Sequence, residues 1–127
     1  MKKPVLYEKK DSVGVITLNN PEKSNPLGLD VLRQLIDAFN ESAANGDSCV
    51  IYCAEGKHFT FGADLKQGYE LITNPDLQST AVQDIWTWQE LTGAMIAHPG
   101  IIIVGYHGWV VGGGFEHTLC SDLRIAA

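Results

Sequence analysis

The stretch HGWVVGGGFEHTLCSDLRIAA, residues 107–127, decides how this chain is expected to fold. It follows an apolar, β-branched run at residues 101–106, which predicts a buried strand. The glycine triplet at residues 112–114 leads into a short helical pattern at residues 115–120 and a final strand at residues 123–127. A glycine turn between a strand and a helix presents backbone N–H groups to a ligand, because no side chain shields them.

A second glycine turn lies in the stretch GKHFTFGADLK, residues 56–66, where Gly62 is followed by Ala63. Two N–H donors that converge from different loops form an oxyanion hole, which stabilises a negatively charged oxygen. The alternative is that the glycines only allow a helix to pack closely on a strand, and the residues alone leave both interpretations open. The glycine spacing is not the GxGxxG of a dinucleotide site, and no GK[ST] motif indicates a phosphate-binding P-loop.

The remaining patterns predict strands and helices in alternation. Runs at residues 5–10 and 13–18 predict a hairpin, residues 29–44 predict a helix, and residues 48–54 predict a buried strand. Ser79 or Thr80 is expected to cap a second long helix that ends before His98, and residues 59–66 stay unassigned. Because strands separated by helices indicate parallel βα units, we predict one α/β domain over residues 1–127.

The composition fits one folded domain and argues against several classes of partner. The 127 residues are 45% hydrophobic and 19% charged, and 9 basic against 15 acidic side chains give a net charge of −6. An acidic chain without a basic cluster lacks the charge pattern of a nucleic-acid or anionic-membrane binder, so any phosphate group has to be held locally. The first residues lack the apolar segment of a signal peptide, and we expect a cytoplasmic protein.

No metal site is expected, and the cysteines are expected to be free thiols. The sequence spacing that is typical of metal ligands does not occur among the cysteines and histidines considered, which are Cys49, Cys53, Cys120, His98, His107 and His117.

Glu116 is the strongest candidate for a catalytic side chain. It lies two residues after the glycine triplet, in the first turn of the predicted helix, where the helix dipole favours its ionised form. The apolar neighbours Trp109, Val111 and Phe115 are expected to oppose ionisation by desolvation. A carboxylate in this balance can act as a general acid or base, whereas a structural charge at the helix N-terminus is the alternative.

Three segments together resemble the crotonase superfamily, which contains the enoyl-CoA hydratases and isomerases. ITLNNPEKSNPLG (16–28), GKHFTFGADLK (56–66) and residues 107–127 are similar to its ITLNRPEKxNAL, FxAGADL and GxxxGGGxELALxCDxRIA patterns, in the same order. The resemblance implies the ββα spiral of the ClpP/crotonase-like fold, and only its N-terminal portion. It also implies an acyl thioester of coenzyme A as the substrate, with no permanently bound cofactor.

The resemblance assigns roles to individual residues. The N–H groups of Ala63 and Gly113 would bind the thioester oxygen and stabilise an enolate, with Glu116 as the acid or base. Lys57 and Lys66 would meet the phosphates of coenzyme A, and the loop at residues 19–26 would receive its pantetheine and adenine. The residues implied in substrate or coenzyme A binding are Lys23, Asn25, Lys57, Gly62, Ala63, Asp64, Leu65, Lys66, Gly112 and Gly113.

The chain departs from the family pattern in ways that affect the expected reaction. Hydratases of the family use a second glutamate that lies beyond the position of Ala127, and the family's C-terminal half builds a homo-oligomer, a trimer or hexamer. Phe61 stands where the family has a small residue and is expected to narrow the acyl pocket. Two functions stay open: an enoyl-CoA hydratase or isomerase, and a truncated, catalytically silent protein that binds acyl-CoA or assembles with itself.

Overall fold

The elements of the structure follow the order that the sequence patterns predict. The computed structural model describes residues 2–127. Within this range the strands are β1 (Val5–Lys10), β2 (Val13–Leu18), β3 (Cys49–Ala54), β4 (Ile101–Tyr106) and β5 (Leu123–Ala126). The α-helices of the same range are α1 (Leu29–Ala44), α2 (Leu65–Thr73), α3 (Gln78–Ala97) and α4 (Gly113–Glu116).

The strands form one mixed sheet in the order β1-β2-β3-β4-β5. β1 and β2 pair as an antiparallel hairpin, whereas β2, β3, β4 and β5 are parallel neighbours. The predicted hairpin and the predicted parallel βα units are therefore confirmed. Because β3 and β4 run in parallel, the loops that follow them leave the same edge of the sheet, and these two loops carry the glycine turns.

Helix α1 joins the sheet to α3 through one apolar core. Leu32, Leu35 and Phe39 recur at helical spacing and are fully buried. The helix packs against β1, β2 and α3, and removal of this apolar surface from water is the main source of stability. Other core residues include Ile16, Leu18, Val50, Tyr52, Leu91, Met95, Ile102 and Val104.

Helix α2 is an element that the sequence patterns did not predict. Leu65, Tyr69 and Ile72 recur at helical spacing, but the helix is short and contains Gly68, which weakens the helical signal. Its start is fixed by Asp64, whose side chain accepts hydrogen bonds from the N–H groups two and three residues ahead, each at 3.1 Å.

The start of helix α3 differs from the predicted start. The helix begins at Gln78 without a side-chain cap, so neither Ser79 nor Thr80 caps it. A 3-10 turn at Pro75–Leu77 directs the chain straight into α3, and the capping side chain is Asn74 at the start of that turn. The predicted helix at residues 115–120 is a single α turn, α4, continued by a 3-10 turn at His117–Cys120.

Membrane-spanning helices and clusters of metal-ligating side chains are both absent from residues 2–127. That part of the chain contains no helix that is both long and apolar enough to cross a bilayer. It also contains no group of three or more His, Cys, Asp or Glu side chains placed to hold a metal ion. Cys49, Cys53 and Cys120 are free and partly buried.

Candidate active site

The two glycine turns lie in direct contact at one edge of the sheet. Thr60 and Val110 form a parallel bridge, in which the Thr60 carbonyl accepts a hydrogen bond from the N–H of Val111 at 3.2 Å. Gly62 has a φ of +85°, and a Cβ there would collide with the carbonyl oxygen of Val111. A Cβ on Gly114 would lie only 3.3 Å from the Cα of Gly62. The glycines are therefore needed for the close contact between the turns.

The N–H groups of Ala63 and Gly113 lack an acceptor in residues 2–127. The Gly62 N–H donates to the Thr60 hydroxyl at 3.0 Å. The Asp64 N–H donates to the Leu27 carbonyl at 3.2 Å, and the Gly114 N–H donates to the Val111 carbonyl at 2.9 Å. In the first turn the free donor therefore lies between two paired N–H groups, whereas in the second turn the N–H of Gly112 is free as well. Ala63 and Gly113 are the two positions that the family resemblance implies.

A pocket of about 510 Å³ brings these two residues together with Glu116. Trp88, Gln89 and Thr92 of α3 form one wall of this pocket. The complete lining is Ala63, Trp88, Gln89, Thr92, Gly113, Glu116, His117 and Cys120. Three residues predicted from separate parts of the sequence, Ala63, Gly113 and Glu116, therefore share one pocket.

Glu116 lies at the end of α4 with its side chain exposed. Its apolar neighbours Trp109, Val111 and Phe115 are exposed as well, to 62%, 40% and 44% of their surface. The prediction that they desolvate the Glu116 carboxylate is wrong for this chain, because they extend into solvent and do not cover it. The carboxylate is accessible both to the pocket and to water.

His117 is a lining residue that the sequence interpretation did not select. It is 3% exposed, and its ring nitrogens lie 2.7 Å from the Gly113 carbonyl oxygen and 3.1 Å from the Tyr52 hydroxyl. Burial lowers the pKa of His117 to about 4, although the hydrogen bond to Gly113 acts in the opposite direction. Burial likewise raises the pKa of Tyr52 above its ordinary value. The available signal was a histidine directly after the candidate catalytic glutamate.

The residues implied in coenzyme A binding are only partly brought to this pocket. Lys23, Lys57 and Lys66 are exposed on the surface and do not line it. Leu65 is 84% exposed on the first turn of α2. The Asp64 side chain is used as the N-cap of the same helix, and Gly112, with a φ of +52°, starts the turn before α4.

The side chain of Asn25, a residue implied in coenzyme A binding, is buried and joins two loops. It is 2% exposed, and its Nδ2 donates to the carbonyl oxygens of Glu55, His58 and Phe59 at 2.9 to 3.2 Å. Its Oδ1 accepts from the Asn20 N–H at 2.8 Å. The amide therefore fastens the loop at residues 19–26 to the loop after β3, and it is not directed toward a ligand.

Phe61 does not line the pocket that it is expected to narrow. Its ring is 49% exposed and lies 5.1 Å from the ring of His58 and 6.3 Å from that of Trp109. Phe61 therefore does not narrow this pocket, and its effect on an acyl group stays a prediction.

A larger open groove, of about 1050 Å³, lies between β1 and α1. Its charged lining residues include Lys2, Lys3, Asp30, Asp37 and Glu41. Residues 19–22 of the loop that the resemblance implies in binding pantetheine and adenine line this groove, whereas Ala63, Gly113 and Glu116 all line the smaller pocket.

One known protein family matches almost the whole chain. A sequence model of the family described as Enoyl-CoA hydratase/isomerase matches residues 8–127. The chain belongs to the enoyl-CoA hydratase/isomerase family. The glycine turns and Glu116 all lie inside the matched range.

Relatives of this enoyl-CoA hydratase/isomerase family member match nearly all of its residues. The Bacillus subtilis protein YngF, named for the same family, is 35% identical over 120 residues, which are 93% of this chain and 44% of YngF. The hydroxycinnamoyl-CoA hydratase-lyase of Pseudomonas fluorescens is 32% identical over 128 residues, 98% of this chain and 46% of that enzyme. The chain spans about half the length of the curated relatives it matches.

Solved structures of the enoyl-CoA hydratase/isomerase family share the fold. The enoyl-CoA hydratase from Thermoplasma volcanium GSS1 superposes with a TM-score of 0.85 at 25% identity, over 97% of this chain and 48% of that one. The predicted crotonase fold, in its N-terminal portion, is therefore confirmed.

Proposed function

We propose that this chain binds acyl-CoA thioesters and stabilises the thioester enolate with the N–H groups of Ala63 and Gly113. The observation that carries the proposal is the pair of free backbone donors in one pocket beside Glu116. Donors fixed at the oxygen where negative charge develops stabilise the transition state, and removal of one such donor typically costs about 10²–10³ in rate. Ala63 and Gly113 supply these donors from the main chain.

Glu116 is the proposed acid or base of the reaction. It is the one carboxylate among the lining residues that the structure describes, and His117 stays neutral because burial lowers its pKa to about 4. One carboxylate suffices to remove a proton from C2 of a 3-enoyl thioester and to return it at C4, which moves the double bond. Hydration needs both an activated water and a proton donor, so isomerisation is the reaction that this set of residues favours.

Coenzyme A is the proposed carrier of the acyl group, without a permanently bound cofactor. Lys57 and Lys66 flank the loop that carries Ala63 and are exposed, so they can meet phosphate groups in a chain whose net charge is −6. Lys23 lies on the neighbouring loop, which Asn25 fastens in place. These cations provide the local phosphate site that an acidic protein requires.

The proposal also covers the oligomeric state of the protein and its location in the cell. Leu65 and Ile72 on α2 and Ile85 and Trp86 on α3 are each more than half exposed, and large apolar surfaces of this kind mark association sites. We propose a homo-oligomer, a trimer or hexamer by resemblance. The three free cysteines fit a reducing compartment, and we propose the cytoplasm.

A catalytically silent acyl-CoA-binding or self-assembling protein is the second candidate. The exposure of Glu116 favours it, since an open pocket does not exclude water from the reacting groups. Calorimetry with butyryl-CoA, combined with turnover assays on 3-enoyl-CoA and 2-enoyl-CoA, separates the two. Binding with isomerisation supports the enzyme, binding without turnover supports the silent protein, and absence of binding overturns both acyl-CoA functions.

A further inference from the structure

A buried hydrogen-bonded chain runs from Tyr52 through His117 to Gly113, and the last two of these residues line the pocket. Tyr52 is a core residue of β3 with no exposed surface, and His117 packs against it at a ring distance of 5.7 Å. The family pattern quoted above has leucine at the position of His117, so a polar group here is a departure of this chain. A buried polar ring is costly unless both of its nitrogens have partners, and here both do.

The partners determine which ring nitrogen carries the proton. The Gly113 carbonyl can only accept, so Nδ1 of His117 must donate to it across 2.7 Å. In the neutral ring Nε2 is then the acceptor, and the Tyr52 hydroxyl donates to it across 3.1 Å. Tyr52 thereby selects the tautomer that can hold Gly113.

Gly113 is held on three sides. His117 binds its carbonyl oxygen, and the N–H on the far side of the same peptide, that of Gly114, donates to Val111 at 2.9 Å. The indole of Trp88 covers its Cα so closely that a Cβ would lie 2.7 Å from Cη2. Trp88 in turn packs against His117 at a ring distance of 6.1 Å. These contacts fix the Cα and the carbonyl of Gly113, which is one end of the peptide group that carries the free N–H. The other end is fixed by the Gly112 carbonyl, which accepts from the N–H groups of Phe115 and Glu116 at 2.9 and 3.0 Å.

We propose that His117 is a positioning residue, which holds the Gly113 carbonyl through Nδ1–H so that the Gly113 N–H stays directed into the pocket. This inference rests on the proposed function, because it gives the Gly113 N–H a thioester oxygen to bind. Tyr52 acts indirectly, because its hydroxyl fixes the tautomer of His117. A histidine that only filled space would be replaceable by leucine without an effect on the donor.

The test measures how strongly the bound thioester carbonyl is polarised. Butyryl-CoA labelled with carbon-13 at the thioester carbonyl is bound to the chain, and its C=O stretch is recorded by infrared difference spectroscopy. We expect a shift to lower frequency on binding to the unmodified chain. His117→Leu should lose part of that shift while retaining butyryl-CoA binding, because the backbone N–H of His117 still donates to the Gly113 carbonyl and the phosphate contacts are proposed for other residues, Lys57 and Lys66.

A second variant restores the contact. The side-chain amide of His117→Asn can place an N–H near the position of Nδ1 and donate to Gly113, so it should retain most of the shift. Tyr52→Phe should lose part of the shift and let Nε2 carry the proton, which nitrogen-15 NMR of the imidazole detects. His98→Leu is the matched control, since His98 is also buried but lies before β4 and binds Ser42.

The possible outcomes distinguish failure of the positioning role from failure of the proposed function. An unchanged shift in His117→Leu, equal losses in the Leu and Asn variants, or a proton on Nε2 in the unmodified chain overturns the positioning role alone. Absence of butyryl-CoA binding by the unmodified chain overturns the proposed function. Loss in the Leu variant with retention in the Asn variant supports both.

Discussion

The hydroxyl of Tyr7 donates a hydrogen bond to Oδ2 of Asp47 at 2.7 Å, across 40 residues of sequence. The same oxygen accepts from the Ser42 hydroxyl at 2.7 Å, and Lys9 lies 3.1 Å from the other carboxylate oxygen. Asp47 is 2% exposed. One buried carboxylate therefore ties β1 to the end of α1 and to the turn before β3, at the edge of the sheet opposite the pocket.

Asp47→Asn should destabilise the fold. Tyr7 and Ser42 donate to the same oxygen, so the amide keeps both hydrogen bonds only with its own oxygen at that position. Its NH2 group then faces the Lys9 ammonium, and the ion pair is replaced by two opposed donors. We expect the free energy of unfolding to fall by about 1–3 kcal/mol in urea titrations at pH 7.

The matched control for this change is Asp37→Asn on the exposed side of α1. It removes the same charge and should change stability by less than about 0.5 kcal/mol. Equal stability of the two variants would contradict the role given to the Asp47 network.

Stability should fall in two separate windows as the pH is lowered. His117 has a pKa of about 4 in the folded chain against an ordinary 6.5, so only the unfolded chain takes up this proton between these values. Stability should therefore decrease from pH 6.5 to pH 4, by at most on the order of 3 kcal/mol from this group. His117→Leu should flatten this window in urea titrations at pH 7, 5.5 and 4.

The second window belongs to Asp47. Burial raises the pKa of this carboxyl, but hydrogen bonds from Tyr7, Ser42 and Lys9 and the Lys9 charge outweigh burial and hold it below its ordinary 3.8. Its stabilising contribution is present above that value and is lost as the pH falls through the lower, folded pKa. Asp47→Asn should flatten only this lower window, and an identical pH profile for both variants would contradict the assignment.

Gly113→Ala should disrupt the pocket through Trp88. The added methyl group would lie 2.7 Å from the indole, and we expect a loss of about 1–3 kcal/mol in unfolding free energy, together with weaker butyryl-CoA binding. A second change, Trp88→Leu, should recover part of the stability. Gly93→Ala on α3 meets no atom within 4 Å and should instead stabilise the helix by about 0.5–1 kcal/mol.

Lys57→Ala and Lys66→Ala should weaken butyryl-CoA binding and reduce its dependence on salt. Exposed contacts between ammonium and phosphate groups are screened by ions, so a lost contact removes part of that dependence. Lys10→Ala removes the same charge at the end of β1, on the opposite edge of the sheet, and is the control. Calorimetry at two salt concentrations measures both effects, and unchanged affinity would remove the two lysines from the phosphate site.

Glu116→Gln should abolish most isomerisation without loss of butyryl-CoA binding. A positioned acid or base typically contributes about 10²–10⁴ in rate, and glutamine keeps the size of the side chain but cannot accept the proton. Glu90→Gln, an exposed residue of α3 outside the pocket lining, is the control. Unchanged turnover in Glu116→Gln would exclude Glu116 from the mechanism.

Sequence patterns predicted the parts of the molecule that depend on local rules. The hairpin, α1 and the glycine turns follow from residue spacing and from the backbone freedom of glycine, whereas the selection of Ala63 and Gly113 within those turns came from the family resemblance. The direction of a side chain depends on residues far along the chain, as for Asn25, whose partners lie 30 or more positions away. The exposed position of Phe61 and the place of His117 in the pocket lining could not be predicted for the same reason.

The free donors of Ala63 and Gly113 belong to the main chain, and this affects how the protein tolerates mutation. No side-chain substitution deletes a backbone N–H, except replacement by proline, so the proposed oxygen-binding part of the pocket should withstand most changes that preserve Gly62, Gly113 and Gly114. Gln89, Thr92 and Cys120 line the same pocket, and neither proposed donor belongs to them. Variants at these three positions should therefore change the shape of the pocket and leave both proposed donors in place, which makes them the natural starting points for a mutant library.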